Sequence, residues 1–271
     1  MTKLIYIGGY GHSGSTLLEY LMAGSPAVLA CGEVASSTRD KDNDGKEKLC
    51  SCGRAPDVCP VWGPFHSSEC QPSRTHAEVL EALMQRADGR YAAIIDSSKT
   101  AWGSFRTPFR LRRRYGSDFT LVHLMRQPAA VSWSVLRKKN RRARKEGRRP
   151  AHYMLRCGFA VAAWSIANLS CELFGFLYPR QYVRLRYEDL VHAPAETLQS
   201  LFSKVLPGVT WSFDDANTRD NRHQLHGNSV KRHQLGITDV KEDLKWQSEM
   251  PPEYSRVVLA LSYLLRLRYG Y

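Results

Sequence analysis

The chain has 271 residues, 43% of them apolar, which is enough for one sizeable α/β core or two small ones. Its formal charge of +13 points to an acidic ligand, nucleic acid, an acidic glycan or an anionic membrane surface. Seven cysteines exclude complete pairing within the chain. No apolar run has the look of a transmembrane segment, and a first strand starting at about Lys3 leaves no room for a secretory signal, so the expectation is a cytoplasmic, mostly reduced protein.

Residues 4–7 are an apolar run that predicts a buried strand, and residues 8–16 are a turn rich in glycine and hydroxyls. Leu17, Leu18, Leu21 and Met22 then fall on one helical face. A strand, a glycine turn and a helix start together hold anions, because unpaired N–H groups and the helix dipole point at the turn. Against the pattern G-x-x-x-x-G-K-[ST], Gly9, Gly14 and Thr16 fit, but Ser15 stands where the lysine for a nucleoside triphosphate belongs. That substitution argues against an ordinary ATPase or GTPase and leaves the anion cradle in place.

A second short strand is expected at about 28–31, followed by a polar stretch at 36–48 and a cysteine-rich insertion at 49–70. Spacing predicts a helix over 75–88, stopped at Gly89, and a third strand over 91–95 running into Asp96. A short basic helix at 109–115 precedes a fourth strand at 119–125, and a helix at 129–139 passes into a basic loop at 137–149. Residues 153–174 read as a long, buried apolar helix and 181–186 as a fifth strand. Helices are expected at 195–206 and 252–268, with a polar, poorly periodic segment at 211–226 between them. Strands alternating with helices predict an α/β, three-layer P-loop-like fold with a central parallel sheet of about five strands, as one domain over 1–271. The glycine loop at 8–16, Glu33, the segment Asp96–Lys99 and Arg126 all follow predicted strands, so they are expected in one crevice at the carboxyl edge of the sheet.

Four segments carry a resemblance. Gly11-His12-Ser13-Gly14-Ser15-Thr16 resembles the 5′-phosphosulfate loop of sulfotransferases that use 3′-phosphoadenosine-5′-phosphosulfate (PAPS), in the bacterial branch similar to tyrosylprotein sulfotransferases. Arg126, with Ser134 eight residues later, resembles their 3′-phosphate motif. Arg186-Tyr187-Glu188-Asp189-Leu190 resembles their strand-end motif, and Gly227-Asn228-Ser229-Val230-Lys231-Arg232 their C-terminal nucleotide loop. The resemblance implies PAPS as donor, 3′,5′-ADP as product, an acceptor hydroxyl and no required metal. Nucleotide contacts are then expected from the loop residues 11–16, Arg126, Ser134, Tyr187, Asn228 and Arg232.

The physical chemistry agrees with two separate anion sites. Arginine's planar fork suits phosphate oxygens, and Ser134 adds a hydroxyl donor. Sulfuryl transfer needs in-line positioning, cationic stabilisation of the leaving oxygen and a base for the acceptor proton. Glu33 resembles the family's catalytic glutamate and Lys99 the lysine that contacts the transferring group. His12 stands where relatives carry Arg or Lys. Either the donor holds it protonated, or Lys99 carries the charge, or His12 itself is the base and Glu33 orients it.

Cys50, Cys52, Cys59 and Cys70 are open to a zinc knuckle, a disulfide or free thiols, because the first pair is C-x-C rather than the usual C-x₂-C of zinc sites. Segments of the form Cys-x-Cys-Gly…Cys-Pro-x-Trp resemble ones in bacterial relatives. Residues 137–149 hold nine basic residues and one acid, Glu146, which suits docking of an acidic glycan or peptide acceptor. The alternatives are a P-loop kinase or nucleotidase, disfavoured by Ser15, a nonenzymatic basic nucleic-acid-binding module, for which no helix-turn-helix, zinc-finger or RNP pattern is present, and a sulfotransferase-like domain that only binds nucleotide.

Overall fold

The apolar run at the start becomes β1 (Lys3–Gly8), the middle strand of a sheet completed by β2 (Val28–Ala30), β3 (Ala93–Asp96), β4 (Phe119–Met125) and β5 (Tyr182–Arg186). The structure is a computed structural model that describes residues 1–37, 49–66, 75–100, 104–147, 153–225 and 240–271. The strands are all parallel and ordered β2-β3-β1-β4-β5. β4 is buried along its whole length, as a parallel strand covered on both faces must be, while β5 at the edge exposes Arg184.

Alternation along β1 sorts the core into two halves. Ile5 and Ile7 pack with Leu18, Leu21, Leu198 and Phe202 on one face. Leu4 and Tyr6 pack with Leu80, Leu83, Leu121 and Phe174 on the other. The helices that cover the sheet before β5 are α1 (Ser15–Met22), α2 (Val34–Ser37), α3 (Gly63–His66), α4 (His76–Ala87), α5 (Thr107–Tyr115), α6 (Pro128–Lys145) and α7 (Tyr153–Leu177). After β5 come α8 (Tyr187–His192), α9 (Pro194–Val205), α10 (Asp215–Asn221), α11 (Lys245–Glu249), α12 (Pro252–Leu261) and α13 (Tyr263–Tyr269). α4 starts on a full capping box, in which Thr75 Oγ1 accepts from the Glu78 N–H and Glu78 reaches back to the Thr75 N–H.

Four expectations shift. α6 runs on to Lys145, so the basic stretch up to that residue is helix rather than loop. Ala143 and Asn140 are buried on its inner face, and Arg142 pairs with Glu146 one turn on at 2.7 Å. α10 forms inside the segment expected to be irregular, capped by Asp214, whose carboxylate accepts from the Ala216 N–H at 2.8 Å. The expected helix over 252–268 breaks at Ser262, whose hydroxyl donates back to the Val258 carbonyl at 2.6 Å. Finally, α7 is not wholly buried. Its stretch Arg156–Leu177, with a mean hydropathy of 1.4, is long and apolar enough by composition to cross a membrane, and half of it is buried inside the fold. Trp164, Asn168, Cys171 and Phe174 face the sheet, and Phe159, Ile166, Leu169, Leu173 and Phe176 face outward.

The carboxyl ends of all five strands open on one side, which collects the loops beginning at Gly9, Cys31, Ser97, Arg126 and Tyr187. Chain connections leave β1 and β4 towards opposite edges of the sheet, the position where open parallel sheets bind ligands. Asn228, Arg232, Cys70 and the basic residues Arg148 and Arg149 lie outside the described residues.

Candidate active site

β1 hands the chain to the glycine loop under tight steric limits. A Cβ at Gly9 would stand 2.5 Å from the Leu124 carbonyl of the neighbouring strand. Gly14 has φ +98° and caps α1 with no side-chain hydrogen bond, and a Cβ there would strike the Tyr187 ring at 2.4 Å. His12, at φ +71°, is the one non-glycine residue with positive φ among the described residues, a conformation that costs on the order of 1–3 kcal/mol and clusters at ligand-holding turns. Ser13 is buried, and its hydroxyl has no hydrogen-bond partner among the described residues. An orphaned buried hydroxyl beside uncapped first-turn amides suits an anion that brings its own acceptor oxygens.

The second anion group meets the first at His12. Arg126 follows β4, is buried, and donates from Nη1 to the His12 carbonyl at 3.1 Å and from Nη2 to the Asp243 carbonyl at 3.1 Å. The Asp243 carboxylate is 3.8 Å away. Ser134, on α6, shares a 2.9 Å hydrogen bond with His12 Nδ1. The Arg126 guanidinium lies over the Tyr187 ring at 4.2 Å. Tyr187 is thus a buried platform between Gly14 and Arg126, and only 6% of its surface is exposed.

Glu33 follows β2 and Lys99 follows β3, and their side chains form a 2.7 Å ion pair. Ser36 donates to the other Glu33 oxygen at 3.3 Å. The Lys99 stem lies across the loop, 3.2 Å from where a Cβ on Gly11 would stand. Burial pushes His12 down to about 4, helped by the positive charges of Lys138, Lys99 and Arg126. Burial and these charges favour the neutral imidazole. Its hydrogen-bond partner is Ser134, while Glu33 pairs with Lys99.

Beyond the expected contacts, Glu19, Asp96 and Lys138 shape this region, and of these only Asp96, at the head of the 96–99 segment, is singled out by the sequence. Glu19, fully buried on α1, accepts from the Gly32 N–H at 2.5 Å and the Ser97 hydroxyl at 2.7 Å, tying the Glu33 loop to the Lys99 loop. Burial pushes its carboxyl up to about 7, against the pull of Ser97, Arg222 and Gly32. Asp96 repeats the tie: its carboxylate takes the Val34 N–H at 3.3 Å and the Ser98 N–H at 2.9 Å, and holds His76 at 2.8 Å. Lys138 lies beside Lys99, and partial burial and that neighbour hold it below its ordinary value, with Glu33 pulling the other way. One signal existed for Lys138, which is four residues after Ser134 on the same helix face. A single glutamate on α1 offers no such signal.

A profile described as the sulfotransferase family matches residues 5–212 of the chain. No curated protein sequence matches it significantly. Among solved structures, the sulfotransferase domain from the curacin biosynthetic pathway superposes with a TM-score of 0.59 at 18% identity, covering 96% of this chain and 97% of that one. The sulfotransferase domain from the Synechococcus PCC 7002 olefin synthase gives 0.56 at 18% identity, covering 97% and 95%. Both likenesses carry the fold, a five-stranded parallel sheet of P-loop type, and the profile spans the glycine loop, Glu33, Lys99, Arg126, Ser134 and Tyr187. The chain belongs to the sulfotransferase family.

Proposed function

We propose that this transferase moves a sulfuryl group from PAPS to an acceptor hydroxyl. The observation that carries the reading is the meeting at His12. The glycine loop and the Arg126–Ser134 pair, two anion-holding groups on different elements, are joined by hydrogen bonds of 3.1 and 2.9 Å. A donor with a phosphosulfate and a separate phosphate matches that pairing better than a triphosphate, for which the loop would need a lysine at Ser15.

The bound donor supplies an activated sulfuryl group whose bridging oxygen leaves on 3′,5′-ADP. The amides of residues 13–16 and the unpartnered Ser13 hydroxyl hold its 5′ end, while Arg126 and Ser134 hold the 3′-phosphate, with Asn228 and Arg232 assigned to the same nucleotide by the 227–232 motif. Tyr187 fixes the plane of the Arg126 guanidinium. Glu33 takes the acceptor proton. Lys99 stabilises charge at the transferring group, with His12 as a neutral hydrogen-bonding member of the loop because burial depresses its protonation. The acceptor approaches past Lys138, and the basic face of α6 favours an acidic glycan, peptide or small molecule.

A thermal-shift comparison tests the donor class. The melting temperature is expected to rise with 3′,5′-ADP and to respond little to 5′-AMP or ATP, since only a 3′-phosphate site makes that distinction. An equal response to ATP would refute the assignment.

A further inference from the structure

Away from this crevice, on the far side of β2, three thiols and an imidazole face one another. Cys50, Cys52 and Cys59 come from the insertion, and His223 comes from the segment after α10. All four donor atoms lie within 4.8 Å of one another. Cys59 Sγ is 3.7 Å from Cys50 Sγ, 3.8 Å from Cys52 Sγ and 3.2 Å from His223 Nδ1. Cys50 Sγ is 3.9 Å from the same nitrogen.

Those separations can be set against the edges of a metal tetrahedron. With metal–sulfur bonds of about 2.3 Å and metal–nitrogen bonds of about 2.0–2.1 Å, tetrahedral angles give S···S edges of about 3.8 Å and S···N edges of about 3.6 Å. The two measured S···S contacts sit on the first value, and the two S···N contacts bracket the second. A disulfide would leave one thiol and the imidazole without a partner, and all three cysteines are unpaired.

The surroundings meet the other requirements of such a site. His223 Nε2 lies 2.9 Å from the Asp220 carbonyl, the outer hydrogen bond that leaves Nδ1 with its lone pair turned to the sulfurs. Backbone N–H groups of Val61 and Trp62 point at Cys59 Sγ. Gly53, at φ +86°, closes the turn through the Cys50 carbonyl at 2.9 Å. Ser51, between the first two cysteines, donates to the Arg222 carbonyl at 2.8 Å and accepts from the Gln224 N–H at 2.7 Å. Trp62 donates to the His223 carbonyl at 2.5 Å. Cys50, Cys59 and His223 are buried, so the centre has no open position for catalysis.

We infer that Cys50, Cys52, Cys59 and His223 form a structural zinc site that fastens the cysteine-rich insertion to the sheet. His223 donates its N–H to the Ala30 carbonyl at 2.8 Å, and Arg222 bridges Ala30, so the fastened segment extends β2. The same strand leads into Cys31, Gly32 and Glu33, and Gln224 packs against Gly32 at a distance a Cβ would reduce to 2.7 Å. Residues 222–225 lead directly into the 227–232 motif. The metal therefore braces the loop that carries Glu33 without touching it.

The test uses the full chain purified under reducing conditions without chelator. Elemental analysis is expected to return one zinc per chain. Cobalt exchange is expected to give tetrahedral d–d bands with a thiolate-to-cobalt charge-transfer band. A strong chelator should release the zinc and lower the melting temperature by more than about 5 °C. Cys59→Ser should lose most of the metal and Cys171→Ser none of it. Should Cys59→Ser fail to fold, His223→Cys serves instead: it keeps the zinc and intensifies the cobalt charge-transfer band. Wild-type protein with less than about a fifth of a zinc per chain, or a disulfide among Cys50, Cys52 and Cys59 in mass spectrometry of that reduced preparation, would overturn the inference.

Discussion

Glu19→Gln isolates one buried carboxyl that couples folding stability to pH. Glu19 is completely buried, and its carboxyl is raised from 4.5 to about 7, chiefly by loss of water. The folded chain thus keeps a proton that the unfolded chain releases near its ordinary value. Stability from this group is fully present below about 4.5 and is lost as pH rises through about 7. At about 1.4 kcal/mol per pH unit between the two values, the loss is about 3 kcal/mol at pH 8. Glutamine mimics the protonated acid: its carbonyl still accepts from Gly32, and its amide can donate to Ser97. Urea unfolding followed by tryptophan fluorescence from about pH 4 to 8 should show the two proteins equal at low pH. The variant should then become more stable by about 3 kcal/mol above neutrality. Turnover should change by less than about tenfold, because Gly32 keeps its acceptor. Superimposable pH profiles would refute the reasoning.

Glu33→Gln should lower transfer by about 10²- to 10⁴-fold while the thermal shift with 3′,5′-ADP is retained or increased, since Lys99 is then free to meet the nucleotide. Wild-type turnover in that variant would remove Glu33 as the base. Gly14→Ala should cost about 2–5 kcal/mol, from strain at φ +98° and the 2.4 Å approach to Tyr187, whereas Gly89→Ala, at φ +73° with no atom within 4 Å, should cost only about 1–2 kcal/mol in the same denaturant assay. Equal costs would mean that Tyr187 does not press on the loop. His12 is depressed from 6.5 to about 4, so its neutral form supports folding above 6.5, and that support fades as pH falls towards 4. In the ring resonances of the free chain its titration midpoint should lie below about 5, and 3′,5′-ADP should raise it; a free-chain midpoint near 6.5 would contradict the burial account.

The sheet was legible because buried parallel strands are apolar runs, and the glycine loop because its spacing is set by covalent geometry. Arg126 and Ser134 were legible as a pair since the motif fixes their separation along one chain segment. The end of α6 was not, because a run of arginine and lysine reads alike as helix or loop. Only the burial of Asn140 and Ala143 decides it. The outward face of α7 was hidden for a related reason, in that Phe174 and Phe176 are equally apolar and only the first meets the sheet. Glu19 looks like any solvated helix residue until Gly32 and Ser97 close over it. His223 lies 164 residues from Cys59, beyond any spacing rule, so the C-x-C pair alone left zinc, disulfide and free thiols open.

Glu33 and Lys99 have opposite roles in the proposed reaction, and they lie 2.7 Å apart as an ion pair. At that distance the carboxylate oxygen that would meet a proton and the ammonium that would meet an anion face each other. The Lys99 stem crosses Gly11, so its head group lies beside both Glu33 and the glycine loop. Lys138 nearby repels Lys99 and attracts Glu33, which lowers the cost of parting them. His12 stays neutral and adds no further repulsion at the loop. In the proposed reaction, an anion held by Lys99 would leave Glu33 without that partner. Behind the pair, Glu19 and Asp96 hold the two loops in register through Gly32 and Val34 on the Glu33 side and Ser97 and Ser98 on the Lys99 side. The distance between glutamate and lysine is thus set by buried contacts rather than by their own attraction alone.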